Sequence, residues 1–188
     1  MKRIIIFASG TGTNAENIIN YFKANKLAEI THVFSNKISA KVLTKASNLN
    51  VKAIHFDKES FYSNNDILHI LSDAKPDLIV LAGFLWKFPS GIIEAFPNKI
   101  INIHPALLPK YGGKGMYGKH VHEAVVNNNE KESGITIHYV NENYDEGGII
   151  FQAVTEVLPN DTADDVAAKI HKLEYKHFPK VIEKVLFE

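Results

Sequence analysis

The chain has 188 residues, enough for a full hydrophobic core and a length that fits one domain over residues 1–188. With 45% apolar residues, 22% charged residues and 21 basic groups balancing 21 acidic ones, it reads as a soluble globular protein. The absence of cysteine excludes disulfides, thiolate chemistry and cysteine-ligated zinc, and the absence of net positive charge argues against nucleic acid as a partner.

Apolar, mostly β-branched runs alternate with segments of helical periodicity up to residue 103. Five strands are predicted there, at residues 3–8, 30–34, 52–54, 78–81 and 100–103. Helices are predicted between them at residues 14–25, 40–49, 59–74 and 90–95. Because these strands are apolar throughout, without alternating polar positions, they indicate a parallel sheet covered by helices on both faces.

The pattern changes beyond a polar loop at residues 127–132. Strands at 134–140 and 149–157, joined by a turn-rich segment, predict an antiparallel pair, and a helix over about 163–185 closes the chain. The predicted fold class is therefore α/β: a three-layer, Rossmann-like, mostly parallel sheet with an antiparallel C-terminal strand pair. A strong apolar run at 78–86 is too short to span a membrane, so we expect no membrane partner and a cytoplasmic location.

A glycine-rich turn, Ser9-Gly10-Thr11-Gly12-Thr13-Asn14-Ala15, joins the first strand to the first helix. It fits the dinucleotide fingerprint G-x-G-x-x-A, in which backbone N–H groups approach a phosphate at a helix N-terminus. A dinucleotide site also needs an acidic residue at the end of the second strand, and here that strand ends Phe34-Ser35-Asn36-Lys37. The turn therefore favours a single phosphate monoester, although a tight turn without a ligand would carry the same glycines.

An amide and an imidazole follow each other at the end of the fifth strand, before a proline. Asn102 and His104 are two residues apart, so in a strand they point to the same side. An amide donor beside a group that carries a proton near neutral pH suits the oxyanion of a carbonyl under attack. A structural histidine and a strand-capping asparagine are the alternatives.

A carboxylate partner for this histidine is expected in the glycine-rich segment that follows the sixth strand. Asp145 precedes Glu146-Gly147-Gly148, and glycines let such a loop bend close to another backbone. We expect Asp145 to orient His104 and to raise its pKa, although an Asp before Gly-Gly is also an ordinary turn residue. Thr136 and His138 are likewise two apart on a strand and are expected to line the same pocket.

Two further histidines, His120 and His122, suggest a metal site at first sight. Their i, i+2 spacing separates them on a helix, unlike the i, i+4 pairs of zinc-binding helices. We therefore expect no metal.

With these residues assembled, the chain resembles the phosphoribosylglycinamide formyltransferases, a folate-dependent formyltransferase family of purine synthesis. The segments that carry the resemblance are 9–14, 33–36, 81–84, 102–109 and 145–148. The resemblance implies the formyltransferase fold. It also implies transfer of the formyl group of 10-formyltetrahydrofolate to the amine of N1-(5-phospho-D-ribosyl)glycinamide (glycinamide ribonucleotide). The products are formylglycinamide ribonucleotide and tetrahydrofolate, in de novo purine (IMP) biosynthesis.

The resemblance also implies a role for each candidate residue. The catalytic residues are Asn102, His104 and Asp145, supported by Thr136 and His138. The substrate contacts are Gly12, Thr13 and Asn14 for the phosphate and Glu174 for the glycinamide group. The folate contacts are Leu85, Trp86, Lys87, Phe88 and Asn102. Trp86 stands where many members carry Arg, and the glycine-rich loop 110–118 is expected to form a mobile flap.

Other functions stay open at this point. Methionyl-tRNA formyltransferases share the Asn-x-His-Pro element but carry a C-terminal domain for tRNA, which we do not expect after the closing helix. The alternatives kept are another folate-dependent formyltransferase and a non-catalytic module that binds a phosphate ligand. We expect small-molecule partners only and a monomer or a homodimer.

Overall fold

A seven-stranded mixed sheet forms the centre of the protein, in a computed structural model that describes residues 1–188. The strands are β1 (Lys2–Phe7), β2 (Ala28–Ser35), β3 (Lys52–His55), β4 (Leu78–Leu81), β5 (Ile100–His104), β6 (Glu132–Tyr139) and β7 (Ile149–Glu156). They lie in the order β3-β2-β1-β4-β5-β6-β7. The first five are parallel, whereas β6 runs antiparallel to β5 and β7 antiparallel to β6, which confirms the predicted fold class.

Helices cover both faces of this sheet. They are α1 (Thr13–Asn25), α2 (Lys41–Asn48), α3 (Lys58–Tyr62), α4 (Asp66–Ala74), α5 (Ser90–Ala95), α6 (Lys119–Asn127) and α7 (Ala163–Phe187). One core packs α1, α2, α6 and α7 against one face of the sheet, and a second core packs α3, α4 and α5 against the other. Ile4 and Ile6 of β1 belong to the first core and Ile5 and Phe7 to the second, because successive strand residues point to opposite faces.

Three features of the helices and loops differ from the prediction. The helix predicted over 59–74 is two helices, α3 and α4, since Asn65 adopts a left-handed backbone with φ of 59°. Asp57 caps α3 by accepting a hydrogen bond from the Ser60 N–H. Helix α6 was not predicted, and the polar loop at 127–132 is shorter than expected because Asn127 ends α6 and Glu132 begins β6.

The long closing helix α7 brings the C-terminal part of the chain back to the first βα unit. It starts with a capping box in which Thr162 and Asp165 satisfy each other's backbone N–H groups. It packs against α1, where the Asn17 side chain donates to the Tyr175 carbonyl. Helix α7 thereby borders the glycine-rich turn. No helix in the structure combines the length and apolar character needed to cross a bilayer.

Candidate active site

The glycine-rich turn lies at the carboxyl end of β1, held by its neighbours in the sheet. The Ala8 N–H donates to the Phe34 carbonyl and the Ser9 N–H to the Gly83 carbonyl. Gly12 has a left-handed φ of 73°, and a Cβ there would lie 2.5 Å from Cγ2 of Val42. Only glycine fits this position, so the close approach of the turn to α2 is built into the sequence.

Helix α1 begins at this turn without a side-chain cap. The first N–H groups of a helix have no intrahelical partner, and the helix dipole makes that end favourable for an anion. The hydroxyls of Thr11 and Thr13 lie 3.4 Å apart on the exposed side of the turn. The predicted phosphate residues Gly12, Thr13 and Asn14 thus sit together where an anion is favoured.

Glu174 of α7 lies next to this turn and is buried. Its Oε2 accepts a 3.0 Å hydrogen bond from Nδ2 of Asn14 and lies 3.1 Å from Nδ1 of His171. The hydrogen bond to Glu174 raises the pKa of His171. The residue predicted to bind the glycinamide group therefore contacts a residue predicted to bind the phosphate, although 160 positions separate them.

The pairing of β5 with β6 brings four predicted site residues together. Asn102 lies directly opposite His138, and His104 lies directly opposite Thr136. Opposite residues of an antiparallel pair share a face of the sheet. The two i, i+2 pairs seen in the sequence are therefore one cluster in the structure.

His138 is buried with both ring nitrogens engaged. Its Nδ1 lies 2.8 Å from the Tyr139 carbonyl, which can only accept, so Nδ1 carries the proton. In the neutral ring Nε2 is then an acceptor, and it lies 3.1 Å from Nδ2 of Asn102. His138 thus fixes the orientation of the Asn102 amide and leaves its second N–H available.

Asp145 bridges the two histidines of the cluster. Its Oδ1 lies 3.6 Å from Nε2 of His138, and its Oδ2 lies 3.6 Å from Nδ1 of His104 and 2.9 Å from the Gly113 nitrogen, which donates to it. Burial raises the pKa of Asp145, but the neighbouring His138 and His104 rings and the Gly113 N–H outweigh burial and hold the pKa below its usual value. Asp145 is therefore a carboxylate at neutral pH.

The loop that carries Asp145 depends on a close contact at Gly147. A Cβ there would lie 1.7 Å from the Tyr139 carbonyl oxygen, so no side chain fits. Asp145 itself has a left-handed backbone with φ of 57°, which Asp tolerates better than most residues. The sequence predicts that the paired glycines let this loop approach another backbone, and the approach occurs at Gly147.

His104 is nearly inaccessible, at 3% exposure. Burial lowers its pKa; Asp145 and the hydrogen bond to the Tyr111 carbonyl raise it, and the charge of His138 lowers it further. Asp145 thus acts in the direction expected from the sequence, but the net pKa is lowered because desolvation of the ring outweighs the attraction of Asp145. The ring is neutral at pH 7.

Thr136 supports the chain after β5 and does not line a pocket. Its hydroxyl donates to the Ala106 carbonyl and accepts from the Leu108 N–H and from Nε2 of Gln152. It is fully buried. The expectation that Thr136 shares a pocket with His138 was therefore wrong, since its hydrogen bonds hold the turn that follows His104.

A cavity of about 70 Å³ opens beside the cluster. Polar residues on its wall include Asn102, His138 and Asp145, while His104 does not reach it. Aromatic residues form much of the remainder, and the lining residues of this kind are Phe84, Trp86, Phe88 and Tyr144.

Of the four neighbouring residues predicted to contact folate, three line this cavity, namely Trp86, Lys87 and Phe88. Leu85 does not, since its backbone N–H is bound to the Ser9 hydroxyl and its side chain is 38% exposed. The Trp86 ring packs on Phe56 and Phe61, and Nζ of Lys58 lies 5.8 Å from its centroid.

Some residues of the site were missed by sequence reasoning. Tyr111 and Gly113 belong to the glycine-rich loop expected to be a flap, yet the Tyr111 carbonyl contacts His104 and the Gly113 N–H contacts Asp145. Both contacts use backbone atoms, which leave no signature in residue type. Gln152 also escaped notice because it lies on β7, outside every motif.

His120 and His122 diverge on α6, as their spacing predicts. His120 is exposed and lies 3.7 Å from Glu123, whereas His122 is buried with Nδ1 unpartnered. Burial lowers the pKa of His122, and the nearby charges of His171, Glu174 and His104 modulate it. No group of three or more metal-ligating side chains is assembled in the structure.

The fold and the cluster of amide, imidazole and carboxylate groups define an α/β protein with its candidate site at the carboxyl edge of a parallel sheet. A family model described as formyl transferase matches residues 2–182, and the chain belongs to this formyl transferase family.

Individual relatives show which members of this family the chain is similar to. The phosphoribosylglycinamide formyltransferase of Bacillus subtilis is 35% identical over 191 residues, which are 99% of this chain and 95% of the relative. The chloroplastic phosphoribosylglycinamide formyltransferase of Vigna unguiculata is 38% identical over the whole chain, but the chain spans only 62% of that protein. The corresponding share for the Arabidopsis thaliana enzyme is 66%.

Solved structures agree with this assignment. The structure of phosphoribosylglycinamide formyltransferase from Brucella melitensis superposes with a TM-score of 0.89 at 36% identity, covering 100% of this chain and 96% of that one. The corresponding structure from Bacillus halodurans gives a TM-score of 0.90 at 33% identity, with the same coverage. The predicted family and the predicted formyltransferase fold are thus confirmed.

Proposed function

We propose that the protein transfers the formyl group of 10-formyltetrahydrofolate to the amine of glycinamide ribonucleotide, a step of de novo purine biosynthesis. The observation that carries this proposal is the Asp145 carboxylate, 3.6 Å from a ring nitrogen of each of two histidines, on the wall of a cavity that Asn102 also lines. Relatives that bear the name phosphoribosylglycinamide formyltransferase support the choice of substrates.

The first task of the site is to stabilise charge on the formyl oxygen. The substrate amine attacks the formyl carbon, forming a C–N bond and placing negative charge on oxygen. Asn102 has one amide N–H free after its contact with His138, and we assign this N–H to the oxyanion. One preorganised donor of this kind is worth about 10²–10³ in rate.

The second task is to move one proton. The attacking amine becomes positively charged and loses a proton, and N10 of the folate gains one as its bond to the formyl carbon breaks, so the reaction releases no net proton. We assign this transfer to the His104–Asp145 pair, because His104 is neutral at pH 7 and Asp145 is an adjacent carboxylate on the cavity wall. The two groups are coupled and act as a unit.

The phosphate and the glycinamide group of the substrate need their own anchors. We assign the phosphate to the start of α1, at Gly12, Thr13 and Asn14, where no side chain caps the helix. Glu174 supplies a carboxylate for the glycinamide end, and its hydrogen bond to Asn14 keeps it beside the phosphate site. This arrangement holds the ribonucleotide at both ends and leaves its amine free to react.

We assign the formylfolate to the cavity beside Asn102. Its apolar and aromatic wall suits a flat heterocycle, and Trp86, Lys87 and Phe88 border it. Leu85 does not border the cavity, and its backbone N–H binds the Ser9 hydroxyl beside the segment 86–88.

The test is direct incubation of the purified full chain with both compounds, following the loss of formylfolate. We expect turnover that requires both substrates. No turnover at saturating concentrations of both would contradict the proposal.

A further inference from the structure

The backbone of Tyr111 is unusual and touches the catalytic cluster. Its φ of 57° is left-handed, a conformation that bulky residues rarely adopt. Its carbonyl oxygen lies 2.7 Å from Nε2 of His104. A carbonyl can only accept, so this contact requires the proton of the neutral ring to reside on Nε2. A strained backbone that ends in such a contact points to a function for the strain.

The Tyr111 side chain is anchored away from the active site. Its hydroxyl donates a 2.9 Å hydrogen bond to Oε1 of Glu130 and accepts one of 2.9 Å from Nδ2 of Asn128. Lys110 in turn lies 3.1 Å from Oε1 of Glu130. Two side chains beyond the cluster thus hold the tyrosine hydroxyl, a third holds Glu130, and the hydroxyl has both its donor and its acceptor capacity used.

We infer that Tyr111 is a positioning residue for His104. Anchored through its hydroxyl to Glu130, it presents its backbone carbonyl to Nε2, so Nδ1, which faces Asp145, is the nitrogen that takes up and releases the proton. The inference rests on the proposed function only where it says which ring nitrogen takes part in the proton transfer. The tautomer itself follows from the contact alone.

The charged groups around the His104 ring determine how its pKa changes when the Tyr111 hydroxyl loses its hydrogen bonds. Asp145 faces Nδ1 from the loop after β6, His138 neighbours it on β6, and His122 lies nearby on α6. The Tyr111 carbonyl and Asp145 both favour the charged ring, against burial and His138. A displaced carbonyl therefore lowers the pKa of His104 further and frees the second tautomer.

The experiment uses Tyr111→Phe and Glu130→Ala, which remove the anchor from its two ends while keeping the Tyr111 carbonyl in the chain. Tyr21→Phe is the matched control, since it also loses a Tyr–Glu hydrogen bond, to Glu183, between helices α1 and α7. Two properties are measured for each full-length variant: the ¹⁵N NMR titration of the His104 ring, and kcat with KM for formyl transfer. Glu130→Gln, which keeps an acceptor for the hydroxyl, is the rescue variant.

We expect the wild-type neutral ring to carry its proton on Nε2. In Tyr111→Phe and Glu130→Ala we expect a mixed tautomer, a lower His104 pKa and a kcat reduced about tenfold with KM changed less than about twofold. Combining both changes in one chain adds nothing further, because they break the same link. Tyr21→Phe and Glu130→Gln retain the wild-type values.

Two results would overturn the inference: a wild-type ring protonated on Nδ1, or anchor variants that titrate and turn over like Tyr21→Phe. These results differ from failure of the proposed function. If the wild type shows the Nε2 tautomer and the anchor variants alter it, but no formyl transfer occurs, the positioning of His104 by Tyr111 stands and the reaction assignment is wrong. The titration needs no substrate, so a variant without activity is still informative.

Discussion

The Asn102 amide lies 3.1 Å from Nε2 of His138, a ring whose other nitrogen is committed to the Tyr139 carbonyl. This relationship fixes which way the amide points, because a ring nitrogen without a proton accepts only the N–H side. The amide donor is thus oriented before any substrate arrives, which is the condition under which an oxyanion donor is most effective.

Replacing Asn102 with Ala removes that donor. We expect kcat to fall about 10²–10³-fold while KM for the ribonucleotide changes little, because the lost bond is made to charge that develops in the transition state. Steady-state kinetics with both substrates varied measure the effect. Asn64→Ala, at an exposed amide bound only to Glu59, is the control and should match the wild type. A larger effect on KM than on kcat would assign Asn102 to ground-state binding.

Glu174→Gln tests the proposed substrate anchor on α7. The amide keeps an acceptor for Asn14 but removes the negative charge, so we expect KM for glycinamide ribonucleotide to rise about 10- to 150-fold, which corresponds to about 1.5–3 kcal/mol for a hydrogen bond to a charged group. Glu183→Gln makes the same change on the same helix, next to Tyr21, and should leave KM unaltered. Equal KM values in the two variants would remove Glu174 from the substrate site.

The loop that carries Asp145 offers a matched pair of glycines. We expect Gly147→Ala to lower the free energy of unfolding by more than about 2 kcal/mol and to reduce kcat, since its Cβ would collide with the Tyr139 carbonyl. Gly148→Ala meets nothing nearer than a Tyr139 ring carbon at 4.0 Å and should cost less than about 1 kcal/mol. Urea unfolding of both variants measures the difference. Similar stabilities would mean that the loop does not depend on the contact at Gly147.

Stability should fall as the solution becomes acidic. Burial lowers the pKa of His32, His104, His122 and His177 in the folded protein, so below about pH 6.5 the unfolded chain binds more protons than the folded one. The free energy of unfolding then decreases as pH falls from 7.5 towards 5.5. His171 is the one histidine with a raised pKa, and it opposes this trend.

Urea unfolding at a series of pH values measures this trend. His122→Gln should flatten the slope, because it removes one of the four rings whose pKa is lowered. A free energy of unfolding that is constant or rises towards pH 5.5 would contradict the assignment of these rings as neutral.

Much of the site was predictable because it follows from periodicity. Asn102 with His104 and Thr136 with His138 share faces by strand alternation, and the strand register then pairs them. The glycine turn was predictable because Gly12 and the approach to Val42 belong to a recurrent strand-to-helix geometry.

The remainder depends on tertiary contacts that residue types do not encode. The direction of the His104 pKa shift follows from burial beneath a loop, and Thr136 faces a backbone turn instead of a cavity. The contacts of Tyr111 and Gly113 are made by backbone atoms, so no pattern of side chains predicts them. Helix α6 was missed because it follows a glycine-rich loop and buries only a few side chains, of which one is His122.

The most direct test of the central claim follows a ¹³C-labelled formyl group in the full-length protein and in Asp145→Asn, at saturating concentrations of both substrates. We predict that the label moves from N10 of the folate to the amine of glycinamide ribonucleotide, with the rate lowered about 10²–10⁴-fold in Asp145→Asn. Label that stays on the folate, label released as formate, or an Asp145→Asn variant with a near-normal rate would contradict the account.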